Sequence, residues 1–433
     1  MARELSYYEA ERRRNRGRGR GRRGMGGFGS FGGGSAGGYG GRSSGRGRGR
    51  NGGGRRGFSS SDWLMLVASL VVAAGVALSW SARWINPAGY GFMSAAGLLM
   101  PVLFAANFLC LLYWVIRWRI GAVVPLAVLV LVVWNVTLFW RPALAQQHGA
   151  PSRSLVTVAS YNVRGMMRPV DGYGVTGGSG SGRDRVRSSM REVVTVVDSL
   201  KADILCIQEF QSTPDHSTGR FEEALPAYHY KRVRYVIEGG QGVEGNYGWG
   251  NAIYSKYPIS DSGHIDFEGT NNSILWADVA VRRDTVRVFC AHLQTTAIKA
   301  SDEQYIVEGG FVADSTRTSR VKNMLRRLEE NYIIRAAQAE TLASEVAASP
   351  HPVIVCGDFN DTPASWAYRN IARGLKDSFR EAGRGYGYTY RGFFNLLRID
   401  YILHSPELEC EWYLSPSFDN SDHNPVVTKL KVG

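Results

Sequence analysis

Three long apolar stretches near the start of the chain limit what it can fold into. They run for 18, 26 and 19 residues without a charge, at Trp63–Trp80, Gly91–Ile116 and Ala122–Trp140. An α-helix of about 20 apolar residues crosses the roughly 30 Å hydrocarbon core of a bilayer. Tryptophans lie near most of the ends, as interfacial aromatic residues do. The pattern predicts three transmembrane helices within residues 62–141 and makes the buried helices of a soluble core a poor explanation.

The segment before these stretches is basic and rich in glycine. Residues 1–61 contain 15 Arg, no Lys and three acidic residues, a net charge of +12, whereas the rest of the chain carries +1. Such a segment buries too little apolar area to offset its ordering entropy, so residues 1–61 are predicted to be disordered. Arg-Gly runs can bind RNA or anionic lipid, and a solvated tail that only fixes membrane topology is the alternative.

The placement of basic residues predicts how the chain crosses the membrane. Cytoplasmic segments carry an excess of Lys and Arg. The tail is basic, the first connection contains only Arg83, and the second contains Arg117 and Arg119. An in–out–in–out path satisfies these observations. It predicts an integral membrane protein with a cytoplasmic N-terminus and an extracytoplasmic domain after the third span.

A globular domain is predicted after a linker at residues 142–153. From residue 154 to residue 433, short β-type runs alternate with amphipathic helices, which predicts an α/β sandwich of layered sheets. The helix candidates are Arg183–Lys201 and Val321–Ala347. Polar or Gly-rich loops are predicted at 165–182, 236–250 and 297–319. The strand candidates are Leu155–Tyr161, Ile204–Gln208, Ala252–Tyr254, Leu275–Val281, Val286–Ala291, Val353–Cys356 and Ile399–Leu403.

The five cysteines show no spacing typical of a metal site. Three of them, Cys206, Cys290 and Cys356, lie in apolar β-type runs, and Cys110 lies in an apolar span. They are interpreted as buried free thiols, with a disulfide between neighbouring strands left open because the domain is predicted to lie outside the cytoplasm.

Polar side chains cluster at the C-terminal ends of the predicted strands. Each has an ordinary structural explanation alone, such as a helix cap, an Asx turn or a buried histidine. Together they predict a cleft at one sheet edge. The set comprises Asn162, Glu209, His292, Asp358, Asn360, Asp400, Asp422 and His423.

The ordered set resembles the endonuclease/exonuclease/phosphatase superfamily, which includes deoxyribonuclease I, neutral sphingomyelinases and inositol polyphosphate 5-phosphatases. The resemblance covers about residues 154–431. Its most specific pieces are Gly357-Asp358-Phe359-Asn360, Arg398-Ile399-Asp400-Tyr401 and Ser421-Asp422-His423. It implies a four-layer α/β sandwich of the deoxyribonuclease I type, with the active site at one edge of two packed sheets. The apolar spans and the tail lie outside it.

The chemistry of phosphoester hydrolysis explains why carboxylate and amide side chains would be needed to bind a metal ion. A phosphoester repels an anionic nucleophile, and a hard divalent cation held by oxygen ligands neutralises the charge that develops. Glu209 is the main metal-ligand candidate, Asn162 binds or orients beside it, and Asp422 completes the site. Oxygen ligands without cysteine favour Mg²⁺ or Mn²⁺ over Zn²⁺.

The remaining residues of the set are expected to move protons and hold the phosphate. Asp358 is the candidate base or water-positioning group, and Asn360 would hold water or a phosphate oxygen. His423 would donate to the phosphate while Asp400 fixes its tautomer. His292 would contact the phosphate from the other side. Asn251 also matches a family segment near the site.

The expected substrate is a phosphoester in a nucleic acid, a lipid head group or a nucleotide. His292 and the predicted location argue against a base-excision repair enzyme, since repair-type relatives lack a histidine at that strand end. The near-neutral domain also argues against a dedicated duplex-DNA binder. Two alternatives are a non-catalytic binding module that kept the fold, and an RNA or membrane-surface adaptor that acts through the Arg/Gly tail.

Overall fold

The structure is a computed structural model, and its described part covers most of the chain after the basic tail. The described residues are 58–142, 155–166, 182–212, 221, 223–238, 248–296 and 315–433. The tail up to residue 57, nearly all of the predicted linker and most of the three predicted loops lie outside them. The last residues of the predicted tail are described, and Ser59 caps a helix that begins at Ser60.

Four helices form the segment before the sheets: α1 (Ser60–Ser81), α2 (Pro87–Ser94), α3 (Met100–Ile116) and α4 (Val123–Val136). Two helical stretches, Ser60–Ser81 and Ala95–Ile116, are long and apolar enough to cross a membrane, and most of their residues are not buried. The large apolar side chains exposed in the described part are concentrated between Trp63 and Trp140. Water does not favour so much contiguous apolar surface.

The third predicted span, Ala122–Trp140, is wrong as a full-length helix. Its α-helical part, α4, has 14 residues after a short 3₁₀ turn, which gives a helix of about 21 Å. The last residues leave the helix because they bind the globular domain, where Trp140–Arg141 forms strand β1. The second predicted span also begins late, since α2 packs against a helix of that domain.

Two six-stranded sheets build the globular domain. The first sheet has the order β10-β12-β9-β8-β7-β6, and the second has the order β13-β14-β2-β3-β5-β4. β2 pairs with β3 in parallel and β8 pairs with β9 in parallel, while the other pairs are antiparallel. The strands are β2 (Leu155–Asn162), β3 (Ile204–Ser212), β4 (Tyr230–Glu238), β5 (Gly248–Ser255), β6 (Ile259–Asp266), β7 (Ser273–Val281), β8 (Asp284–His292), β9 (Val353–Asp358), β10 (Lys376–Asp377), β11 (Gly385–Tyr386), β12 (Asp400–His404), β13 (Glu409–Leu414) and β14 (Val426–Lys431).

Side-chain alternation sorts the core into layers. On β9, Ile354 and Cys356 face the core between the sheets, whereas Val353 and Val355 face the outer side of the first sheet. Helix α6 (Ser315–Ala347) covers that outer side, and helix α5 (Gly182–Leu200) covers the outer side of the second sheet. Short helices α7 (Trp366–Ile371) and α8 (Ser378–Ala382) follow β9 and β10. The predicted α/β sandwich is confirmed.

Arg398 attaches the end of the apolar segment to the domain. Its guanidinium donates two hydrogen bonds to the Leu138 carbonyl, at 3.2 and 2.9 Å, and pairs with Asp377 at 2.8 Å. Arg398 and Asp377 are both buried. Next to them, the Gly387 amide donates to the Phe139 carbonyl at 2.8 Å. The chain that leaves α4 is therefore part of the fold and not a loose tether.

We expect Arg398→Met in the detergent-solubilised full chain to lower the free energy of unfolding by about 3–5 kcal/mol, because Asp377 would stay buried without its partner. Thermal unfolding followed by tryptophan fluorescence measures the loss. Arg234→Met is the matched control, since it breaks a partly exposed pair with Asp266 that is worth about 0–1 kcal/mol. Equal losses in both variants would contradict the assignment.

Candidate active site

The predicted polar residues meet at one edge of the sandwich. Parallel pairing brings the C-terminal ends of neighbouring strands to the same edge, with Asn162 opposite Gln208 and His292 opposite Asp358. Strand β12 runs the other way, so its first residue, Asp400, also lies opposite Asp358. Both sheets therefore contribute to one cleft.

A β-bulge turns Glu209 into the cleft. Strict alternation on β3 would point Glu209 outward with Leu205 and Ile207, which face the α5 side. The register of β3 against β5 shifts between Ile207 and Phe210, and Glu209 has a positive φ of 54°. A bulge of this kind adds a residue and redirects the next side chain. Gln208 and Glu209 therefore both reach the inner side.

The glycine before Asp358 is required by close strand packing. A Cβ at Gly357 would lie 2.0 Å from the Ala291 carbonyl oxygen, and its φ of 155° is unusual for a side-chain-bearing residue. No side chain fits there without moving β8. Gly357 thus allows β8 and β9 to present His292 and Asp358 side by side.

Hydrogen bonds fix a carboxylate centre around Asp358. The amide Nδ2 of Asn162 donates to Glu209 at 3.1 Å and to Asp358 at 3.0 Å. Asn360 donates to Asp358 from its backbone amide at 2.8 Å and from its side chain at 3.3 Å. The Nδ2 atom of Asn162 therefore orients both the Glu209 and Asp358 carboxylates. Asn360 orients Asp358 only.

Two histidines point at this centre. His423 donates from Nδ1 to Asp400 at 2.9 Å, and its Nε2 lies 3.7 Å from Asp358 Oδ2. His292 Nε2 lies 3.6 Å from Glu209 Oε1 and 4.0 Å from Asp358 Oδ2. The Asp400 contact keeps a proton on His423 Nδ1 and directs His423 Nε2 toward the space over Asp358, which His292 Nε2 also faces.

Burial sets the charges in the cleft. Loss of water raises the pKa of Glu209 and, together with the nearby Asp400 carboxylate, raises the pKa of Asp358 to about 6. Burial lowers the pKa of His292. Burial also disfavours the charged form of His423. The negative charges of Asp400 and Asp358 have a larger effect and hold the pKa of His423 well above its usual value. The site thus pairs a cationic His423 with a neutral His292.

Asp422 takes a position at the rim. Its Oδ2 lies 3.4 Å from Arg164 Nε, and its side chain is 28% exposed. Its Oδ1 is buried and has no hydrogen-bond partner among the described residues. A buried carboxylate oxygen without a partner normally binds water or a cation.

Several supporting residues were not assigned a role from the sequence. Ser421 donates to the Asn162 carbonyl at 2.8 Å and accepts from the His423 amide at 3.1 Å, so it holds the loop before β14 against the end of β2. Thr389 accepts from the Asp400 amide, and the Tyr390 ring lies 5.2 Å from the His423 ring. Only Arg164 had a signal in the sequence, because it is a basic residue two positions after the end of β2.

Asn251 does not enter the cleft centre but supports a neighbouring strand. It lies on β5, is buried, and its Nδ2 donates to the Ser273 carbonyl at 2.9 Å. Ser273 is the strand partner of His292. Asn251 therefore holds the strand that flanks His292.

The residues of the cleft fit a hard divalent cation. Glu209, Asp358 and Asp400 gather in a buried space, where loss of water disfavours the charged form of Glu209 and Asp358. Asp358, Asp400 and His423 offer ligand atoms within 4.8 Å of one another. Asp422 adds a buried carboxylate oxygen without a hydrogen-bond partner among the described residues, and such oxygen ligands suit Mg²⁺ or Mn²⁺.

Two family models match the chain in different parts. The model described as "Endonuclease/Exonuclease/phosphatase family" matches residues 159–423, and a model described as a domain of unknown function matches residues 62–139. The first match covers more than half of the chain and every predicted site residue. Comparison with curated protein sequences gives no significant match.

Among solved structures, an endonuclease/exonuclease/phosphatase from Beutenbergia cavernae has 18% sequence identity and a TM-score of 0.45, covering 65% of this chain and 72% of that one. The human Nocturnin catalytic domain has 17% identity and a TM-score of 0.43, covering 67% of this chain and 98% of that one. A mannosyl-6-phosphatase from Bacteroides thetaiotaomicron has 19% identity and a TM-score of 0.40, covering 64% of this chain and 99% of that one. These likenesses are distant, so the classification depends on the family model alone.

Proposed function

Because this chain belongs to the endonuclease/exonuclease/phosphatase family, we propose that it is a divalent-metal-dependent phosphoesterase tethered to a membrane by its apolar helices. The main supporting observation is the convergence of His292, His423 and Glu209 on Asp358. A non-catalytic binding module would not need a hydrogen-bonded acid–histidine pair beside desolvated carboxylates.

The residues of the cleft divide the work of hydrolysis. Asp358 orients the attacking water and accepts its proton, since a carboxyl pKa of about 6 suits a base near neutral pH. His423, kept cationic by Asp400, donates a hydrogen bond to a phosphate oxygen. Neutral His292 contacts the phosphate from the opposite side and can assist by donating an Nε2–H hydrogen bond to the leaving oxygen, which then takes its proton from solvent.

Glu209 and Asp422 would hold the divalent ion, with Asn162 orienting Glu209. A bound Mg²⁺ or Mn²⁺ supplies charge neutralisation at the phosphate. Arg164, beside Asp422 and partly exposed, adds positive charge at the rim, where a phosphoester would enter.

The distribution of charge along the helices supports the proposed membrane arrangement. Asp62, at the start of α1, pairs with Arg117 at 3.3 Å and Arg119 at 3.7 Å, so these three residues share one end. The globular domain contacts the opposite end, where the Arg369 guanidinium lies 3.6 Å from the centre of the Trp84 ring. By the positive-inside rule, this arrangement favours a catalytic domain outside the cytoplasm.

The proposed substrate is a phosphoester in a nucleic acid, a lipid head group or a nucleotide.

The alternative function, an adaptor that acts through the Arg/Gly tail, makes a different prediction. Deleting residues 1–57 abolishes the function of an adaptor and leaves an enzyme able to hydrolyse its substrate.

Removing the proposed base or acid should reduce turnover by at least about 10²-fold. Asp358→Asn and His423→Ala are measured in the detergent-solubilised full chain with Mg²⁺. The panel contains a chromogenic diester and monoester, DNA, RNA, phosphoinositides, sphingomyelin and nucleotides. The exposed residues Asp261 and His229 provide the matched controls Asp261→Asn and His229→Ala. Wild-type turnover in Asp358→Asn or His423→Ala would refute that residue's role.

Metal removal should abolish hydrolysis. Chelation with EDTA is expected to stop turnover, and Mg²⁺ or Mn²⁺ should restore it, because the clustered carboxylates cannot stabilise an anionic substrate alone. Glu209→Gln should raise the Mg²⁺ concentration required for half-maximal rate, while Glu268→Gln, an exposed control, should not. Full activity after dialysis against chelator would overturn the metal dependence.

The proposed topology predicts that protease added to intact cells or spheroplasts removes the catalytic domain. A tag at the N-terminus should stay protected until the membrane is lysed. Protection of the catalytic domain, with loss of the N-terminal tag, would reverse the orientation.

A further inference from the structure

A second cluster of potential metal ligands lies at the end of β12 away from the active site. His404 is the last residue of β12, Cys410 lies on β13, and Glu381 lies on α8. One ligand atom from each falls within 4.8 Å of the other two. These three residues are called the distal site. Asp400, in the catalytic cleft, is the first residue of the same strand.

The His404 ring is oriented as in metal-ligating histidines. Its Nδ1 lies 3.0 Å from the Ser405 carbonyl oxygen, so Nδ1 carries the proton and Nε2 keeps its lone pair. His404 is fully buried, and Nε2 has no hydrogen-bond partner among the described residues. Glu381 Oε2 lies 3.1 Å from Nε2, which is an ion-pair distance. A buried ring nitrogen that faces both a carboxylate and a thiol presents a set of metal-ligand types.

The two oxygens of the Glu381 carboxylate have different neighbours. Lys376 also approaches Glu381, at 3.4 Å, but it contacts Oε1, whereas Oε2 faces His404.

We propose that Glu381, His404 and Cys410 bind a second divalent ion of the Zn²⁺ type. Imidazole, thiolate and carboxylate are the ligand types of Zn²⁺, with bonds of about 2.0–2.3 Å. Tetrahedral bonds of that length separate two ligand atoms by roughly 3.6 Å, which agrees with the compact cluster. Water occupies the fourth position, reached past Glu381, whose side chain is 30% exposed.

Binding exchanges protons for the ion. The Cys410 thiol loses its proton to solvent as the sulfur–metal bond forms, and a protonated His404 likewise releases its Nε2 proton. Cys410 Sγ lies 3.0 Å from the Thr428 hydroxyl, whose own proton is donated to the Trp412 carbonyl at 2.8 Å, so the thiol is the donor in this contact and gives it up when it ionises. No oxidation or reduction occurs.

The distal site would connect the two sheets. β12 belongs to the first sheet and β13 to the second, while α8 spans their edge. An ion held by all three elements closes the sandwich at the end away from the cleft. Its role is structural, and it is independent of the proposed hydrolysis.

Cobalt(II) titration of chelator-stripped full-length protein tests the distal site. A cysteine ligand gives a near-ultraviolet thiolate-to-cobalt charge-transfer band, and the catalytic cleft contains no cysteine ligand. The band is expected to saturate at one equivalent and to disappear in Cys410→Ser. His404→Gln and Glu381→Gln should weaken binding at least about tenfold. Zn²⁺ should displace the cobalt and raise the melting temperature of the wild type only.

Controls separate this site from the catalytic cleft. The band should persist in Asp358→Asn, Glu209→Gln and Cys110→Ala, and Cys410→Ser should keep phosphoester hydrolysis. Glu381 lies on the surface, so Glu381→Gln remains informative if Cys410→Ser folds poorly. Absence of the band in the wild type, or its survival in both Cys410→Ser and His404→Gln, would overturn the proposal. Loss of the band in Glu209→Gln would assign the ion to the cleft instead.

Discussion

The packing of two sheets face to face determines where the polar residues of this protein lie. Inward positions alternate along each strand, so the series Val156, Val158 ends at Asn162 and the series Ile354, Cys356 ends at Asp358. The apolar core between the sheets excludes water up to these last positions. Polar side chains at the ends of inner-facing series are therefore desolvated, and the raised pKa of Asp358 follows from the sandwich itself.

Desolvation also makes the cleft favourable for a cation. Three carboxylates, on Glu209, Asp358 and Asp400, share the space with a cationic His423. Arg164 pairs with Asp422 at the rim. Buried like charges that lack compensation raise each other's pKa or bind a counter-ion. The proposed divalent ion would offset the repulsion between these carboxylates and the negative charge of a phosphoester.

The sequence predicted the members of the cleft better than it predicted their orientation. Apolar β-type runs located seven strands, and polar residues at their ends identified the cleft. Strands such as β6 were missed because an exposed edge strand has no apolar run. The bulge that turns Glu209 inward was not predictable, since it depends on pairing between β3 and β5. Hydropathy also predicted a longer helix than α4. The apolar side chains after α4 pack against the globular domain, and in the sequence they look the same as side chains that face lipid.

Strand β12 connects three parts of the protein that the sequence presents as separate. Just before it, Arg398 binds the Leu138 carbonyl at the end of the apolar segment. Its first residue, Asp400, orients His423, and its last residue, His404, belongs to the distal site. Arg398 lies two residues from Asp400, the acid that orients His423. Cutting the chain after Trp140 would remove Leu138 and leave buried Arg398 without its carbonyl acceptor. The apolar segment is therefore better regarded as a structural component of the catalytic domain than as an addition to a finished enzyme.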